Sequence, residues 1–303
     1  MRYKKFNLFS LLLIVVLLML TACGSTESQD DSFSGEIIAH FIDVGHGDAI
    51  VVELKEDNSR YIVLIDAGPE IDGNPVVSYL DNINVSRIDL MIVTHPHQDH
   101  IGGMVEVINN FEITKVIDSG IELMKDNYYL DYIAALEENN IAMAKGRYGM
   151  SIEIIEGIDF EIIHPADPLP DDLSTIKEVN NYSIAGQIRY NEIGFLFTGD
   201  IGIEAEEEIL NRRVNVKNEI LKVAHHGSIS SSTSDFIDKV KPKIAVIQCP
   251  KGLDGSSFYS LPNDEVIERL KDSGAQVYRN DHHGNIVIRT DGLSYSIDLE
   301  KNE

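Results

Sequence analysis

Short runs of branched and aromatic residues alternate with polar residues along most of the chain, a pattern typical of strands. Longer segments with apolar residues at helical spacing lie between these runs, and the second half repeats the order of the first. The predicted strands are residues 36–42, 49–54, 61–65, 88–93, 114–117, 152–155, 160–163, 182–190, 194–198, 220–224, 244–248, 276–278, 285–288 and 295–299. The predicted helices are residues 75–80, 104–108, 128–138, 204–213, 234–240 and 263–271. Two strand-rich clusters mixed with helices indicate a layered α/β (α+β) fold.

The N-terminus has the features of an export signal. Basic residues at the start precede an apolar run, Leu8–Leu20, that is too short to span a bilayer comfortably. The residues Leu20-Thr21-Ala22-Cys23 then resemble a bacterial lipobox, in which cleavage before the cysteine accompanies its lipidation. We therefore expect residues 1–22 to be removed and Cys23 to carry a lipid anchor, which makes the protein an extracytoplasmic lipoprotein.

Residues 23–35 are polar and acidic, and they predict a flexible tether before a single domain at 36–303. No other apolar run is long enough to cross a membrane, so we expect no transmembrane segment in the mature chain. The formal charge of −25 argues against tight nonspecific binding to DNA but allows a substrate drawn in by bound cations. We expect the protein to be a monomer.

One stretch, residues 94–103, concentrates the candidate chemistry. It reads THPHQDHIGG and follows an apolar strand, so it lies on a strand-to-helix turn. Imidazoles and carboxylates are the usual ligands of zinc and of similar ions. His95 and His97 point the same way in an extended tip, whereas Asp99 and His100 come after a further turn. One loop can therefore contribute to two adjacent metal sites.

This H-x-H-x-D-H pattern resembles the metallo-β-lactamase superfamily, and more narrowly the hydrolase domain of the competence protein ComEC and its secreted relatives. The resemblance extends over about residues 36–299, and its motifs appear in the family's order. The supporting motifs are FIDVGHGDA at 41–49, DAG at 66–68, NNYS at 180–183, FTGD at 197–200 and HHGS at 225–228. It implies a four-layer αββα sandwich whose site lies at the strand ends between two sheets.

The resemblance also implies two divalent ions, zinc or alternatively manganese. Site one would take His95, His97 and Asp200, and site two Asp99, His100, Asp200 and one histidine of the pair 225–226. Adjacent histidines on a turn diverge, and the sequence leaves the choice open. We assign His225 as the ligand and His226 to the departing group, with Asp99 orienting the attacking water.

The sequence departs from many superfamily members because no clear third histidine for site one lies between the motif at 94–103 and Asp200. His164 and Asn181 are the candidates in that region, although asparagine is a poor zinc ligand. Asp66 is expected to orient a ligating histidine through a hydrogen bond. Ser228 is a candidate donor to a substrate phosphate.

The interpretation that these residues favour is a surface-anchored phosphodiesterase or nuclease that acts on a phosphodiester substrate, with DNA as the candidate, in uptake or processing. The alternatives are a phosphorylcholine esterase, or a hydrolase of another ester, a lactam, a lactone or a thioester. A non-catalytic, lipid-anchored binding scaffold is the alternative from another functional class.

Overall fold

The computed structural model describes residues 33–170, 173, 175–250 and 261–302. The predicted signal and Cys23 lie outside the described residues. The strands are β1 Glu36–Phe41, β2 Ile50–Glu56, β3 Ser59–Ile65, β4 Arg87–Ile88, β5 Leu90–Val93, β6 Glu112–Ile113, β7 Val116–Asp118, β8 Met143–Lys145, β9 Ser151–Ile155, β10 Ile158–His164, β11 Ala185–Tyr190, β12 Ile193–Phe197, β13 Ile220–Lys222, β14 Ile244–Ile247, β15 Gln276–Arg279, β16 Ile286–Thr290 and β17 Tyr295–Leu299. The α-helices are α1 Pro75–Asn82, α2 Gln98–Ile101, α3 Met104–Asn110, α4 Asn127–Glu138, α5 Ile176–Asn181, α6 Ile203–Asn211, α7 Ser234–Val240, α8 Asp264–Asp272 and α9 Asn280–His283.

Two large sheets face each other across an apolar core. One has eight strands in the order β17-β16-β1-β2-β3-β5-β7-β8, and the other has seven in the order β15-β14-β13-β12-β11-β10-β9. Alternation along each strand explains the packing, because successive side chains point to opposite faces. In β12, Phe195 and Phe197 enter the core between the sheets, whereas Leu196 packs on the outer side.

Helices cover the outer face of each sheet. Apolar residues of α1, α3 and α4 pack with outward residues of the eight-stranded sheet, and those of α6, α7 and α8 pack on the seven-stranded sheet. A sheet that is apolar on both faces needs such a cover, since neither face can be left to water. The predicted four-layer αββα arrangement is confirmed.

The strand directions bring loops from both sheets to one edge. Strands β3, β5, β7 and β8 are parallel to one another, as are β12, β13, β14 and β15. The carboxyl ends of parallel strands share an edge of their sheet, where ligands usually bind in open α/β folds. Within the described residues, the helices are all too short or too polar to traverse a bilayer.

The packed domain already includes Phe33, which lies before the predicted domain start at residue 36. Its ring is buried and meets the ring of Tyr190 edge-on, with 4.8 Å between the ring centroids. Aromatic pairs favour this geometry, so the contact fixes the point at which the chain enters the fold.

Candidate metal centre

The loop after β5 carries the first set of candidate ligands. His97 has an extended backbone and is the last residue before α2, which begins at Gln98. Asp99 and His100 therefore lie on a single helical turn. Gly103 lets this turn pack closely, because a Cβ atom there would lie 2.2 Å from the carbonyl oxygen of Ala67. The glycine thus seats the turn directly against the loop that follows β3.

Four donors from three loops converge beside this turn. Asp99, His100, Asp200 and His226 each offer a ligand atom, and these atoms all lie within 4.8 Å of one another. His226 Nε2 lies 3.2 Å from Asp99 Oδ2 and 3.5 Å from Asp200 Oδ2. His100 Nε2 lies 3.5 Å from Asp200 Oδ1. We call these residues the four-donor group.

Hydrogen bonds fix the tautomers of both histidines in the four-donor group. His100 Nδ1 donates to Asp66 Oδ2 (2.8 Å), and His226 Nδ1 donates to the carbonyl oxygen of Gln248 (2.9 Å). When a cation takes the place of the Nε2 proton, each of these nitrogens therefore presents a lone pair to the centre.

A cation fits these residues. The Nε2 atoms of His100 and His226 and Oδ1 of Asp200 are buried without a hydrogen-bond partner among the described residues. Buried polar atoms are rarely left unsatisfied, so three of them facing one another need a common partner. Two nitrogen and two carboxylate ligands suit zinc, and the same set can accept manganese.

His95 and His97 form a second pair next to the four-donor group. His95 Nε2 lies 2.9 Å from His97 Nδ1, and the His95 ring lies 4.1 Å from that of His100. Thr94 Oγ1 donates to Asp66 Oδ2 (2.6 Å) and lies 3.1 Å from His95 Nδ1, so it can accept the proton of that nitrogen. Asp66 therefore orients His100 directly and His95 through a hydroxyl group.

Charge is distributed unevenly among these groups. Burial, together with the positive charge of His100, holds the pKa of His95 well below its usual range. Burial also disfavours a charged His226, but Asp200 and Asp48 outweigh this effect and raise its pKa to about 10. Burial likewise opposes ionisation of Asp200, yet His226 and His100 hold the pKa of that carboxyl well below its usual range. The buried carboxylate of Asp200 thus stays ionised and attracts positive charge.

The two adjacent histidines diverge on a tight turn at 224–227, where both adopt the left-handed backbone conformation. His226 is buried and belongs to the four-donor group, whereas the side chain of His225 is 26% exposed. His225 Nε2 lies 3.9 Å from Asp200 Oδ2, and its Nδ1 lies 3.2 Å from Ser230 Oγ. The geometry therefore favours His226 as the ligand and His225 as the group facing the substrate, the reverse of our assignment from the sequence.

The structure places three further predicted residues away from the four-donor group. His164 Nε2 donates to the carbonyl oxygen of Asn181 (2.7 Å), and burial lowers the pKa of His164 to about 4. Asn181 Oδ1 accepts from the backbone of Gly202 (3.1 Å), at the start of α6. Ser228 Oγ lies 3.0 Å from Ser230 Oγ in the turn behind His225. Each of these side chains supports the backbone of the site.

Sequence reasoning missed Asn180, which is buried beside the site. Its Nδ2 lies 3.3 Å from His225 Nε2, and its Oδ1 has no hydrogen-bond partner among the described residues. The sequence signal for Asn180 was the pair of asparagines at 180–181. Neighbouring residues at a helix end face different directions, so one of the two could face the site. Asn180, and not Asn181, is the member that faces His225.

An ion pair beneath the four-donor group was also missed. Lys222 is buried, and its ammonium group contacts Asp48 and donates to the carbonyl oxygen of Gly199. Asp48 Oδ1 lies 3.5 Å from His226 Nδ1. A lysine at the end of an apolar strand was the signal, since lysine is almost never fully buried unless it is paired.

His46 lies at the rim of the site. Its Nε2 is 3.6 Å from Asp99 Oδ2, and its side chain is 46% exposed. The glycines on either side of it have positive φ angles, so the loop at 45–47 can bend over the site. His46 is thus the imidazole from the loop after β1 that reaches both the solvent and the candidate ligands.

Comparison with known proteins agrees with this geometry. A family model described as the metallo-beta-lactamase superfamily matches residues 42–250. ComE operon protein 3 of Bacillus subtilis (strain 168) is 28% identical over 294 residues, which cover 91% of this chain and 35% of that protein. Competence protein ComA of Neisseria gonorrhoeae is 25% identical, over 80% of this chain and 30% of that protein. The chain thus spans about a third of the length of these relatives.

Solved structures agree on the fold. The metallo-beta-lactamase fold protein YhfI from Bacillus subtilis superposes with a TM-score of 0.52 at 10% identity. The alignment covers 84% of this chain and all of that one, 100%. At such low identity the likeness concerns the arrangement of strands and helices alone.

Proposed function

Because the chain belongs to the metallo-beta-lactamase superfamily, whose members are generally metal-dependent hydrolases, we propose that it is a binuclear phosphodiesterase. The observation that carries the proposal is the convergence of the four-donor group beside the pair His95 and His97. The similarity to competence proteins supports a substrate related to DNA.

Two divalent ions, when bound, would acidify a water molecule and neutralise charge that develops on the phosphate. The four-donor group would hold one ion, and His95 and His97 would hold the other with an oxygen of Asp200. Zinc fits both sets of ligands, and manganese is the alternative. Asp99 would also orient the attacking water through its carboxylate.

His225 is assigned to the substrate side. It is partly exposed, and Ser230 and Asn180 hold its ring at both nitrogens. When a substrate displaces Asn180 from Nε2, this nitrogen in its protonated form can donate a hydrogen bond to a phosphoryl oxygen or a proton to the departing oxygen. The chain therefore needs no serine or cysteine nucleophile for this reaction.

We also infer that the protein is exported and held at the membrane by a lipid on Cys23, as the N-terminal sequence indicates. Mass spectrometry of the N-terminal peptide of the mature protein tests this. A diacylglyceryl cysteine is expected, and an unmodified Cys23 would contradict it. Anchoring and hydrolysis are separate proposals, so either can fail alone.

Hydrolysis of bis(p-nitrophenyl) phosphate and of single-stranded DNA tests the enzymatic proposal. We expect turnover with zinc or manganese, none after chelation, and none in His97→Ala. His282→Ala is the matched control, since this exposed histidine lies outside the proposed ligands. Activity without metal, or normal turnover by His97→Ala, would contradict the proposal.

The same assay separates the alternatives. A panel that adds nitrocefin, a lactone, a thioester and a phosphorylcholine ester identifies another hydrolase if one of these is cleaved faster than the phosphodiesters. A protein that holds less than about one ion per chain after gentle purification, and cleaves none of them, would be a binding scaffold.

A further inference from the structure

A basic cleft lies at the edge of the seven-stranded sheet opposite the candidate metal centre. Arg189, Lys217, Lys241 and Lys243 line a cavity of about 530 Å³. They flank the amino-terminal ends of β13 and β14, whereas the four-donor group follows the carboxyl ends of the same sheet. Residues 243 and 248 flank β14, so at about 3.3 Å per residue the two edges lie roughly 16 Å apart.

The positive charge of this cleft exceeds the negative charge beside it. Within the described part of the chain, the ammonium groups of Lys217, Lys241 and Lys243 lie in no ion pair, and all three residues are exposed. Arg189 donates to the carbonyl oxygen of Asn215 (2.8 Å) and to a glutamine side chain, which are neutral partners. Two glutamates also line the cavity, against four basic residues. A cationic cleft is unexpected on a chain of net charge −25.

The chain enters the domain beside this cleft. Phe33 packs on Tyr190, the neighbour of Arg189, and the turn between β16 and β17 contributes Leu293 to the cavity. Nine residues lie between Cys23 and Phe33 in the sequence, so the ten Cα–Cα steps from one to the other span at most about 35 Å. An anchor on Cys23 therefore keeps this end of the domain close to the membrane.

We propose that the basic cleft faces the anionic lipid headgroups of the membrane that carries the anchor, so that the metal centre points away from the bilayer. The proposal rests on the lipid anchor at Cys23 and not on the hydrolase activity. Lysine side chains near an anionic surface are attracted individually and additively, and this attraction falls off within a Debye length. The cleft thus sets the orientation of the domain on the membrane, which the anchor alone does not fix.

Lysine acetylation of the full, lipid-modified chain in vesicles tests the orientation. Vesicles of phosphatidylcholine are compared with vesicles that contain about one third phosphatidylglycerol, a fraction within the anionic range that polybasic segments sense. Lys217, Lys241 and Lys243 should react about fivefold more slowly on anionic vesicles, and about 0.5 M salt should abolish the difference. Lys125, Lys145 and Lys177, at the metal-site end, should react equally in both.

Charge reversal provides the second arm. A fluorophore on Leu293→Cys reports energy transfer to headgroup-labelled lipid, since Leu293 is exposed beside the cleft. Transfer should fall in K217E/K241E/K243E on anionic vesicles. It should stay unchanged in K125E/K145E/K177E, which carries the same change in net charge at the opposite end. Turnover of bis(p-nitrophenyl) phosphate should be the same in the first triple variant and the parent.

Three outcomes would overturn the proposal. Equal acetylation of the cleft lysines on anionic and neutral vesicles would show that headgroup charge does not orient the domain. Protection that persists in detergent would show that the chain's own acidic residues before Phe33 cover the cleft. An unacylated Cys23 would remove the anchor on which the proposal rests.

Discussion

The two candidate metal positions differ in how completely the chain surrounds them. Three members of the four-donor group are buried, the fourth, Asp99, is 22% exposed, and hydrogen bonds fix the tautomers of the two histidines. The pair His95 and His97 has two imidazoles and shares Asp200, and His164 is turned away towards the backbone of Asn181. Unequal ligand sets imply unequal affinities, so the four-donor group should fill first and the pair should keep a more open coordination shell.

Removal of the shared carboxylate should have the largest effect. Asp200→Asn takes a charged ligand from both positions, so we expect turnover to fall about 10³-fold or more, the loss expected for several kcal/mol of metal-assisted stabilisation. The variant should also bind fewer ions than the parent. Turnover assays and metal analysis of the same preparation check this, and a variant that keeps both ions would contradict the shared role.

The adjacent histidines separate metal binding from substrate contact. His225→Asn should keep the metal content and lower kcat about 10²-fold, as for the loss of a general acid. His226→Asn should lose the ion of the four-donor group. Metal analysis beside steady-state kinetics measures both, and loss of metal in His225→Asn with retention in His226→Asn would restore the assignment made from the sequence.

Asp66 tests whether orientation of ligands matters at both positions. Asp66→Asn keeps the shape but weakens the acceptor for His100 and Thr94, so metal affinity should fall about 10–100-fold. Excess metal should restore most of the turnover. A zinc titration with a competing chelator measures the affinity, and a loss of turnover that excess metal does not rescue would show another role.

Asp118 is a buried acid that has no imidazole partner among the described residues, in contrast to Asp200. Burial, only partly offset by the backbone amide of Gly120, raises the pKa of Asp118 to about 6. In the unfolded chain the Asp118 carboxyl ionises near pH 4. The stability that its protonated form contributes to the fold is therefore fully present below that pH and is lost as the pH rises through 6. The loss amounts to about 3 kcal/mol, from a shift of roughly two pKa units.

Denaturant unfolding at pH 4 and pH 8 checks this expectation. The free energy of unfolding of Asp118→Asn should lack the loss between pH 4 and pH 8 that Asp118 causes in the parent. The variant should therefore be more stable than the parent at pH 8. Turnover per metal-loaded chain should not change. A variant with the pH dependence of the parent would show that Asp118 titrates normally.

Local sequence predicted most elements because their patterns are strong. Strands such as β1, β2 and β3 and the helix α4 lie within a residue or two of their predicted bounds. The helix α5 was missed, since it closely follows a stretch rich in proline and acidic residues, although Thr175 and Glu178 form a capping box at its start. The capping box was the local signal for this helix, and the composition of the preceding stretch obscured it.

The site was predictable where one motif carries the chemistry and unpredictable where tertiary contacts decide. The motif at 94–103 and Asp200 identify most of the candidate ligands. The choice of His226 over His225 depends on the carbonyl group of Gln248, which lies on a different strand end. The ion pair of Lys222 with Asp48 joins the two sheets, and no local pattern identifies Asp48 as the partner of the lysine.

Metal stoichiometry over a zinc titration, from limiting to excess zinc, tests the central claim most directly. Native mass spectrometry of the parent, His97→Ala and His226→Ala should give two ions, one ion and at most one ion per chain, with the weaker ion of the parent absent from His97→Ala. This result would show two adjacent positions of unequal strength. A parent that binds no ion, or a His97→Ala variant that binds as many as the parent, would contradict the account.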